Sequence, residues 1–306
     1  MKGTPLILEI KGNSLDDGPG IRTVIFFKGC PLSCLWCQNP ESKKTVVEIS
    51  YDEKECIGCG TCIEVCPRGA LSRDNPFFIN RDACTFCFDC VAQCPARALD
   101  RVGKEMTHQE IVDAVLRDKP FFDTSGGGVT LSGGEPTLFM GYVSELLKRF
   151  KNHGIHTLIE TCGHFDGAAF ESEILPFTDA IYYDLKLFDS EEHRRYCGVG
   201  NERIFSNFKR LWKVCDAGGP ELLPRVPLIP DITDHESNLG GIAAFLSSLE
   251  VKEVKLLPYN PLWHEKTAKI GTVNPLLDKA SMKRWQDRLK IEECADLFTQ
   301  MNITVL

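Results

Sequence analysis

The chain has 306 residues, of which 43% are hydrophobic and 25% charged, a composition typical of a folded globular protein and not of a disordered or fibrous one. It holds no run of about 18 apolar residues and no secretory signal at its N-terminus, so we expect neither a membrane span nor a membrane partner. The formal net charge of −8 offers no overall attraction to phosphate backbones, and we expect no nucleic-acid partner.

Predicted strands and helices alternate over most of the chain. The first strand is predicted at residues 21–27, an apolar run that ends near Gly29 and Cys30. Further along, a capping box at Thr107 and Glu110 begins a helix. Later strands are predicted at residues 129–131, 156–160, 180–185, 222–229, 254–257 and 303–306. Later helices are predicted at residues 142–150, 170–175, 204–214, 239–249 and 280–301.

This alternation indicates βαβ units and a parallel sheet. We expect an α/β fold, a partial (β/α)6 TIM-like barrel interrupted by a small α+β ferredoxin-like domain. Residues 1–48 form the first part of the barrel, residues 49–101 the cysteine-rich insert, and residues 102–306 the remainder of the barrel.

Functional residues of such barrels lie at the C-terminal ends of the strands. The positions at predicted strand ends are Cys30, Gly133, Gly134, Glu135, Glu160, Thr161, Asp184, Leu185, Lys186, Arg225, Tyr259 and Asn260.

Cysteine is concentrated in one part of the chain, since eleven of the 15 cysteines lie between Cys30 and Cys94. A long chain without a signal peptide and with cysteines at every third position indicates metal binding in a reducing cytosol rather than disulfides. Two runs follow C-x2-C-x2-C-x3-C with proline after the last cysteine, the spacing of bacterial ferredoxins that hold two [4Fe–4S] clusters. The runs are Cys56, Cys59, Cys62 and Cys66, followed by Cys84, Cys87, Cys90 and Cys94.

In this spacing the last cysteine of each run reaches the other cluster. The expected ligand sets are Cys56, Cys59, Cys62 and Cys94 for one cluster, and Cys84, Cys87, Cys90 and Cys66 for the second. Zinc and disulfides are the alternatives, but structural zinc normally uses two separated pairs of ligands. The two clusters serve either as an electron path or as structural scaffolding.

A third group, Cys30, Cys34 and Cys37, follows C-x3-C-x2-C and has no fourth cysteine. Three thiolates would hold three irons of a cubane and leave the fourth iron without a protein ligand. An open metal position is what a catalytic site requires. A bidentate amino-carboxylate could chelate that iron. The alternative is another electron-transfer cluster.

These cysteines and four further segments resemble those of the radical SAM superfamily, and more closely its glycyl-radical-enzyme activating enzymes. The segments are GCPLSCLWCQNP at 29–40, DGPGIR at 17–22, GGGVTLSGGEP at 126–136, YDLK at 183–186 and LLPY at 256–259. The resemblance covers nearly the whole chain. The subgroup with a two-cluster insert looks like the activators of glycyl radical lyases, decarboxylases and dehydratases.

The resemblance implies a reaction and its partners. A reduced cluster on Cys30, Cys34 and Cys37 donates an electron to S-adenosylmethionine (SAM), whose S–C5′ bond breaks to give methionine and a 5′-deoxyadenosyl radical. That radical takes a hydrogen from a glycine Cα of a partner glycyl radical enzyme. A flavodoxin or ferredoxin electron donor, a monomeric state and a cytoplasmic location are also implied. Radical SAM chemistry on a small molecule, and an electron carrier that does not cleave SAM, are the alternatives.

The resemblance also implies roles for individual residues around SAM. Trp36 and Gln38 flank the adenine. Gly133 and Gly134 have no side chains and let the backbone approach the methionine part. Glu135 orients the amino group or the glycine loop, or is instead a carboxylate at a helix N-terminus.

Further polar residues are expected to meet the cofactor. The segment of Asp184, Leu185 and Lys186 contacts SAM in this family, with Lys186 beside the reacting group, unless Asp184 and Lys186 form only a buried ion pair. Glu160 and Thr161 add polar contacts, or form a site for a monovalent cation with Asp184.

Arg225 is expected to pair with the carboxylate of the cofactor. Gln38 and Asn260 stand where many relatives have histidine. Asparagine can hydrogen-bond a ribose hydroxyl but cannot carry a proton at neutral pH.

The remaining cysteines, Cys162, Cys197, Cys215 and Cys294, show no metal-ligand spacing. We expect them to be ordinary buried or partly buried thiols. Cys162 follows a predicted strand end, so it is the one that could approach the site.

Overall fold

Strands and helices alternate along residues 3–306, the part of the chain that the computed structural model describes. The strands are β1 (Leu6–Ser14), β2 (Arg22–Lys28), β3 (Glu48–Tyr51), β4 (Leu99–Val102), β5 (Lys104–Glu105), β6 (Gly128–Gly133), β7 (His156–Thr161), β8 (Ala180–Asp184), β9 (Glu221–Leu228), β10 (Glu253–Pro258) and β11 (Thr304–Val305). The α-helices are α1 (Thr61–Glu64), α2 (Asp89–Ala92), α3 (His108–Leu116), α4 (Lys119–Ser125), α5 (Met140–Asn152), α6 (Gly167–Ala169), α7 (Ser190–Cys197), α8 (Glu202–Asp216), α9 (Glu236–Ser247), α10 (Trp263–Lys269) and α11 (Arg288–Thr299). Short 3-10 segments lie at Pro40–Ser42, Pro136–Phe139, Leu175–Phe177 and Ala280–Lys283, and Phe170–Ile174 is a π-helix.

One nine-stranded sheet carries most of the fold, with the order β11-β10-β9-β8-β7-β6-β2-β1-β5. Neighbours from β11 to β2 run parallel, and β1 and β5 join in antiparallel orientation at one edge. The prediction of a mixed α/β fold with a parallel sheet is therefore confirmed. Strand β1 was not predicted, because half of its residues are polar and it gains its place only by pairing with β2.

The two faces of this sheet differ in chemistry. Ile25, Ile159 and Val226 are fully buried, and they pack with apolar side chains of α5, α8 and α9 in the main hydrophobic core. Side chains alternate along a strand, so the residues between them point to the other face. Toward the C-terminal strand ends that other face carries polar side chains, namely Ser132, Glu160, Asp184 and Arg225.

The cysteine-rich segment forms a small unit of its own. Strands β3 and β4 pair in antiparallel orientation as a two-stranded sheet. Ile49, Leu71 and Phe78 make a small core together with the cysteines Cys62 and Cys90. So little apolar surface is characteristic of a unit that depends on bound clusters for stability.

The long helix predicted at residues 280–301 is wrong. A 3-10 turn ends at Lys283, and Arg284 is extended with φ −129° and ψ 150°. Helix α11 begins anew because the side chain of Asp287 accepts hydrogen bonds from the N–H groups of Leu289 and Lys290. The apolar periodicity continues across this break, which is why the pattern alone suggested one helix.

Other local predictions are confirmed with small shifts of their ends. The capping box is present, since Glu110 N–H donates to Thr107 Oγ1 at 3.2 Å and Thr107 N–H donates to the Glu110 carboxylate at 2.7 Å. The predicted helix at residues 170–175 is instead a π-helix followed by a 3-10 turn around Pro176. Within residues 3–306, no helix combines the length and the apolar character needed to cross a membrane.

Candidate active site

The loop of residues 30–37 follows β2 and lies against the C-terminal end of α7. The backbone N–H of Ser33 donates to the carbonyl oxygen of Cys197 at 2.8 Å, and that of Leu35 donates to Tyr196 at 3.0 Å. The last carbonyls of a helix have no partner within the helix, so the loop satisfies them. This contact holds the backbone of the loop in place.

Two long side chains complete the support of this loop. Asn274 Nδ2 donates to the carbonyl oxygen of Leu35 at 2.5 Å, and Lys43 Nζ donates to that of Cys34 at 2.7 Å. Sequence reasoning missed both residues. Asn274 lies 239 positions away from Leu35 in the chain, and no motif marks it.

Two further thiols meet the three thiols of this loop. Cys197, whose carbonyl oxygen accepts the N–H of Ser33, is buried in one cluster with Cys34 and Cys162, and Cys30 packs against that cluster. Both added cysteines are buried free thiols, as predicted. Helix α7 carries Cys197 to the loop, a position that its spacing in the sequence did not indicate. Cys162 does approach the site, and its place just after β7 was the signal.

The surroundings act differently on the ligand thiols. The neighbouring thiol of Cys197 has the largest of the effects that lower the pKa of Cys34 to about 7, and the nearby charge of Lys186 contributes. Burial raises the pKa of Cys37 to about 12. Iron binding replaces thiol protons, so both residues would bind a cluster as thiolates.

Charged side chains join across the ends of β7, β8 and β9. Glu160 accepts hydrogen bonds from Ser132 Oγ, at 2.6 Å, and from Arg225. Arg225 Nε also donates to Asp184 Oδ1 at 2.9 Å, and Lys186 Nζ donates to Asp184 Oδ2 at 2.7 Å. We call Glu160, Asp184, Lys186 and Arg225 the strand-end ion network.

Three members of the strand-end ion network, Asp184, Lys186 and Arg225, hold their charges at neutral pH. Burial raises the pKa of Asp184, but Arg225 and Lys186 outweigh burial, and the pKa lies below its usual value. Burial lowers the pKa of Lys186 and of Arg225, but the facing carboxylates, Asp184 first, outweigh burial and raise both values. The alternative of an ion pair between Asp184 and Lys186 is therefore what the structure contains, and Arg225 extends it to Glu160.

Glu135 is fully buried, and both of its carboxylate oxygens already have partners. Oε1 accepts hydrogen bonds from Thr137 N–H at 3.2 Å and from Thr161 Oγ1 at 2.9 Å, and Oε2 accepts one from Cys162 N–H at 2.7 Å. The carboxylate therefore caps the 3-10 turn that follows it, as the alternative interpretation expected. The hydroxyl of Thr161 faces Glu135, on the side of β7 opposite to Glu160.

Gly133 and Gly134 allow the end of β6 to lie against the start of the cysteine loop. A Cβ on Gly133, whose φ is 105°, would lie 2.4 Å from the backbone nitrogen of Phe27. A Cβ on Gly134 would lie 2.2 Å from the carbonyl oxygen of Gly29. A side chain at Gly133 would therefore clash with β2, and one at Gly134 would clash with Gly29, just before the loop.

The end of β10 is tied to the same loop. Gln38 Nε2 donates to the carbonyl oxygen of Asn260 at 2.9 Å, while the Asn260 side chain accepts the N–H of Leu262 at 2.8 Å. Trp36 is buried in a cluster that also contains Tyr259. Leu185 is buried in the main core, so its side chain does not face the site.

The cysteines of the two C-x2-C-x2-C-x3-C runs surround two cavities. One cavity is lined by Cys56, Cys59, Cys62 and Cys94. A second is lined by Cys66, Cys84, Cys87 and Cys90. In residues 3–306 no set of His, Cys, Asp or Glu side chains closes on a single metal-ion position. Thiols spread around a cavity suit a cubane, whose irons occupy separate corners, better than one zinc ion.

The DGPGIR segment lies at the opposite end of the strands. Arg22, at the start of β2, donates to Thr130 Oγ1 and to the carbonyl oxygen of Val129, both at 2.6 Å. Burial lowers its pKa to about 10. This part of the pattern therefore supports the sheet and does not contact the cysteine loop.

Comparison with protein-family models gives two matches. A model described as a 4Fe-4S dicluster domain matches residues 48–95. A model described as a 4Fe-4S single cluster domain matches residues 16–60 and 81–196. The first match spans both cysteine runs, and the second includes the loop of Cys30, Cys34 and Cys37.

Comparison with curated proteins gives relatives similar over most of their length. The isethionate sulfite-lyase activating enzyme of Nitratidesulfovibrio vulgaris is 38% identical, covering 92% of this chain and 94% of the relative. The trans-4-hydroxy-L-proline dehydratase activating enzyme of Clostridioides difficile is 36% identical, covering 87% and 88%. Among solved structures, a radical SAM methyltransferase from Sphaerobacter thermophilus aligns with a TM-score of 0.54 at 12% identity, covering 98% of this chain and 76% of the other, a likeness of fold.

Proposed function

The chain belongs to the family of glycyl-radical-enzyme activating enzymes of the radical SAM superfamily, and we propose that it uses SAM and three [4Fe–4S] clusters to place a radical on a glycine of one partner enzyme. Family membership rests on 33–39% identity to activating enzymes over most of the chain. The number of clusters, the residues around SAM and the identity of the partner are the parts proposed here.

The catalytic cluster is proposed at Cys30, Cys34 and Cys37. When bound, the cluster supplies the electron that cleaves SAM, and SAM supplies the radical that takes hydrogen. The chain's contribution is to hold the thiols on a loop fixed by α7 and to leave one iron without a thiolate. Trp36 and the apolar residues packed around it exclude water from this loop.

Two structural clusters or relay clusters are proposed in residues 49–101. The four cysteines expected on each cluster line one cavity, and the two sets share no member. This arrangement supports the crossed pairing of Cys94 with the first run and of Cys66 with the second. It also supports a ferredoxin-like unit inserted between residues 1–48 and 102–306, the two parts of a partial (β/α)6 barrel.

SAM is proposed to bind beside the strand-end ion network. The network pairs two anions with two cations within reach of the cysteine loop, since the charge of Lys186 acts on Cys34. SAM itself carries an ammonium, a carboxylate and a sulfonium. When it binds, charges of the network can exchange a partner within the network for an opposite charge of SAM, so no buried charge is left unpaired. We propose that Arg225 and Lys186 bind the carboxylate and that Asp184 and Glu160 bind cationic groups.

Residues around this network have supporting roles in the proposal. Gln38 and the backbone near Asn260 border the adenosine, and Gly133 and Gly134 bring the end of β6 close to the loop. Glu135 acts through Cys162 and Thr161 and does not touch SAM. A monovalent cation beside Asp184 remains part of the proposal, with Glu160 as its second carboxylate.

The partner is a glycyl radical enzyme, and we propose one of the lyase or dehydratase type. The relatives named above activate a sulfite-lyase and a dehydratase, as their names state. Delivery of electrons by a flavodoxin or ferredoxin, a monomeric state and a cytoplasmic location complete the proposal.

The observation that carries this function is the C-x3-C-x2-C triad, which has no fourth cysteine at ligand spacing and is held next to a charge-balanced polar network. The test is anaerobic incubation of the reconstituted protein with reductant, SAM and a candidate glycyl radical enzyme, followed by electron paramagnetic resonance (EPR). We expect a glycyl doublet that requires all three components. SAM cleavage without a doublet from any candidate partner would indicate chemistry on a small molecule, and no SAM cleavage would indicate an electron carrier.

A further inference from the structure

The chain around the start of α11 carries a cationic surface, which we call the cationic segment, residues 279–290. It contains five cationic residues and one acidic residue, in a chain whose formal net charge is −8. Four of the cationic residues are exposed, namely Lys279, Lys283, Arg284 and Arg288. In residues 3–306 no carboxylate pairs with Lys279, Lys283 or Arg284, and the ion pairs of the segment use its other two cations.

Two loops at the C-terminal edge of the large sheet hold the cationic segment in place. Gln286 N–H donates to the carbonyl oxygen of Tyr259 at 3.3 Å, and Tyr259 Oη donates to that of Met282 at 2.8 Å. Gln286 Nε2 donates to Asp234 Oδ2 at 3.0 Å. Tyr259 directly follows β10, and Asp234 lies in the loop after β9. The segment therefore lies at the same end of the strands as the catalytic loop of residues 30–37.

Trp285 lies in this anchored segment with most of its surface in solvent. It is 63% exposed, and Leu262, in the loop that begins at Tyr259, is 60% exposed. Single exposed apolar residues are common, but tryptophan and arginine together are typical of the residues that dominate protein–protein interfaces. The hydrogen bonds of Met282 and Gln286 fix the backbone on both sides of Trp285, so docking a partner here would order little of the chain.

We propose that the cationic segment is a docking surface for the partner glycyl radical enzyme, which presents carboxylates around an apolar pocket for the ring of Trp285. The inference rests on the proposed function, because it requires a protein substrate. A glycine that reaches the catalytic loop must enter at the C-terminal ends of the strands, so the protein that carries it covers this edge. A cationic patch on an anionic chain also steers an acidic partner to this edge.

The protein electron donor is the other macromolecule in the proposed function. An electron donor needs only to approach a cluster, whereas a glycyl radical enzyme must bring one of its glycines beside the catalytic loop. The position of the cationic segment at the strand ends therefore favours the glycyl radical enzyme. An experiment with a chemical reductant separates the two, because the electron donor is then left out.

The test measures glycyl radical formation by the reconstituted protein with dithionite as the reductant. The probe is the glycyl radical enzyme that yields the doublet in the experiment above, and the initial rate of doublet formation is followed against its concentration. The variants are Trp285→Ala and Arg284→Glu. The matched controls are Phe121→Ala, since Phe121 is 48% exposed on α4, and Lys252→Glu, since Lys252 is an exposed cation just before β10 at the opposite end of that strand.

We expect the KM for the partner to rise about tenfold in Trp285→Ala with kcat unchanged, the effect of removing one interface anchor. Arg284→Glu should raise KM by a similar factor at low ionic strength, and this rise should shrink as salt is added, because salt screens exposed charges. The rise in Trp285→Ala should persist in salt. Iron content, and the SAM-sensitive EPR signal that changes when SAM is added, should match the wild type. Both controls should leave KM unchanged.

An unchanged KM in both variants would overturn the inference. If turnover weakens only when a flavodoxin or ferredoxin replaces dithionite, the segment docks the electron donor, which also contradicts the inference. If Trp285→Ala loses iron, Arg284→Glu decides: a salt-dependent rise in KM supports the docking surface, and an unchanged KM contradicts it. A wild-type protein that forms no doublet with any candidate partner would contradict the proposed function itself.

Discussion

Lys28 and Glu48 form a buried ion pair between the end of β2 and the first residue of β3, with Nζ 2.7 Å from Oε2. The Lys28 side chain is fully buried, and its ammonium also donates to the carbonyl oxygen of Glu41 at 2.6 Å. Lys44, which is exposed, binds the other carboxylate oxygen of Glu48 at 2.8 Å. The pair therefore joins the large sheet to the cysteine-rich unit just beyond the catalytic loop.

Replacing Lys28 by methionine should lower the free energy of unfolding by about 3 kcal/mol, because it leaves a buried carboxylate without its buried partner. Lys44→Met removes the exposed partner of the same carboxylate and should cost less than about 1 kcal/mol. Denaturant-induced unfolding under anaerobic conditions compares the two. Equal losses in both variants would show that the buried pair does not join the units.

The ion pair also predicts a pH dependence. Burial raises the pKa of Glu48, but the hydrogen bonds and charges of Lys28 and Lys44 outweigh burial and lower it. A carboxylate with a lowered pKa stabilises the fold above its unfolded pKa and loses that contribution as the pH falls through the folded value. The difference in stability between wild type and Lys28→Met should therefore be largest near neutral pH and narrow as the pH falls, because without Lys28 burial favours the protonated form of Glu48 in the variant. A difference that widens in acid would contradict this assignment of charge.

Glu135 distinguishes a structural carboxylate from one that binds the cofactor. In the wild type, hydrogen-bond donors face both carboxylate oxygens of Glu135. Glu135→Gln replaces one of these oxygens by an amide N–H₂, which cannot accept, so the free energy of unfolding should fall by about 2 kcal/mol. Thr161→Val removes one of those donors and should cost less. The dissociation constant for SAM should change less than twofold in both variants that fold, as measured by anaerobic equilibrium binding. A large loss of SAM affinity in a stably folded Glu135→Gln protein would instead assign the carboxylate to the cofactor.

Candidate cluster ligands can be proposed from the sequence because a cluster takes its thiolates from short spacings and from loops at strand ends. The same reasoning found Glu160, Asp184 and Arg225 as strand-end residues, but not that they would bind one another. Their pairing depends on the order of β7, β8 and β9 in the sheet, which no single strand encodes. The position of Cys197 beside the loop was missed for a similar reason, since it arises only when the carbonyl groups of α7 meet the loop. The predicted helix at residues 280–301 failed because one capping side chain, Asp287, outweighed a continuous apolar pattern.

The strand-end ion network predicts the effect of removing one charge. Asp184→Asn leaves two cations facing one anion, and SAM is itself cationic at neutral pH, so its dissociation constant should rise at least tenfold, or about 1.4 kcal/mol. Iron content should be unchanged, because Asp184 is not a cluster ligand. Asp113→Asn makes the same change of charge on the exposed face of α3 and serves as the control. Equal SAM affinity in wild type and Asp184→Asn would place the cofactor away from this network.

The two cavities of the cysteine-rich unit predict how iron is distributed. Cys59 lines one cavity and Cys87 lines the other, and each of the two is exposed. The double variant Cys59→Ala/Cys87→Ala should lower iron from about twelve to about four atoms per chain, because each substitution removes one corner ligand from a different cubane. The SAM-sensitive EPR signal of the catalytic loop should persist. Single variants should each lose about four irons, whereas loss of about eight from one substitution would mean that the two sites assemble only together. If the double variant keeps its full iron, the cavities are not cluster sites.

The same double variant tests whether the two clusters carry electrons. If it keeps the SAM-sensitive signal and turns over with dithionite but not with a protein electron donor, the two clusters act as the electron path and not as scaffolding alone.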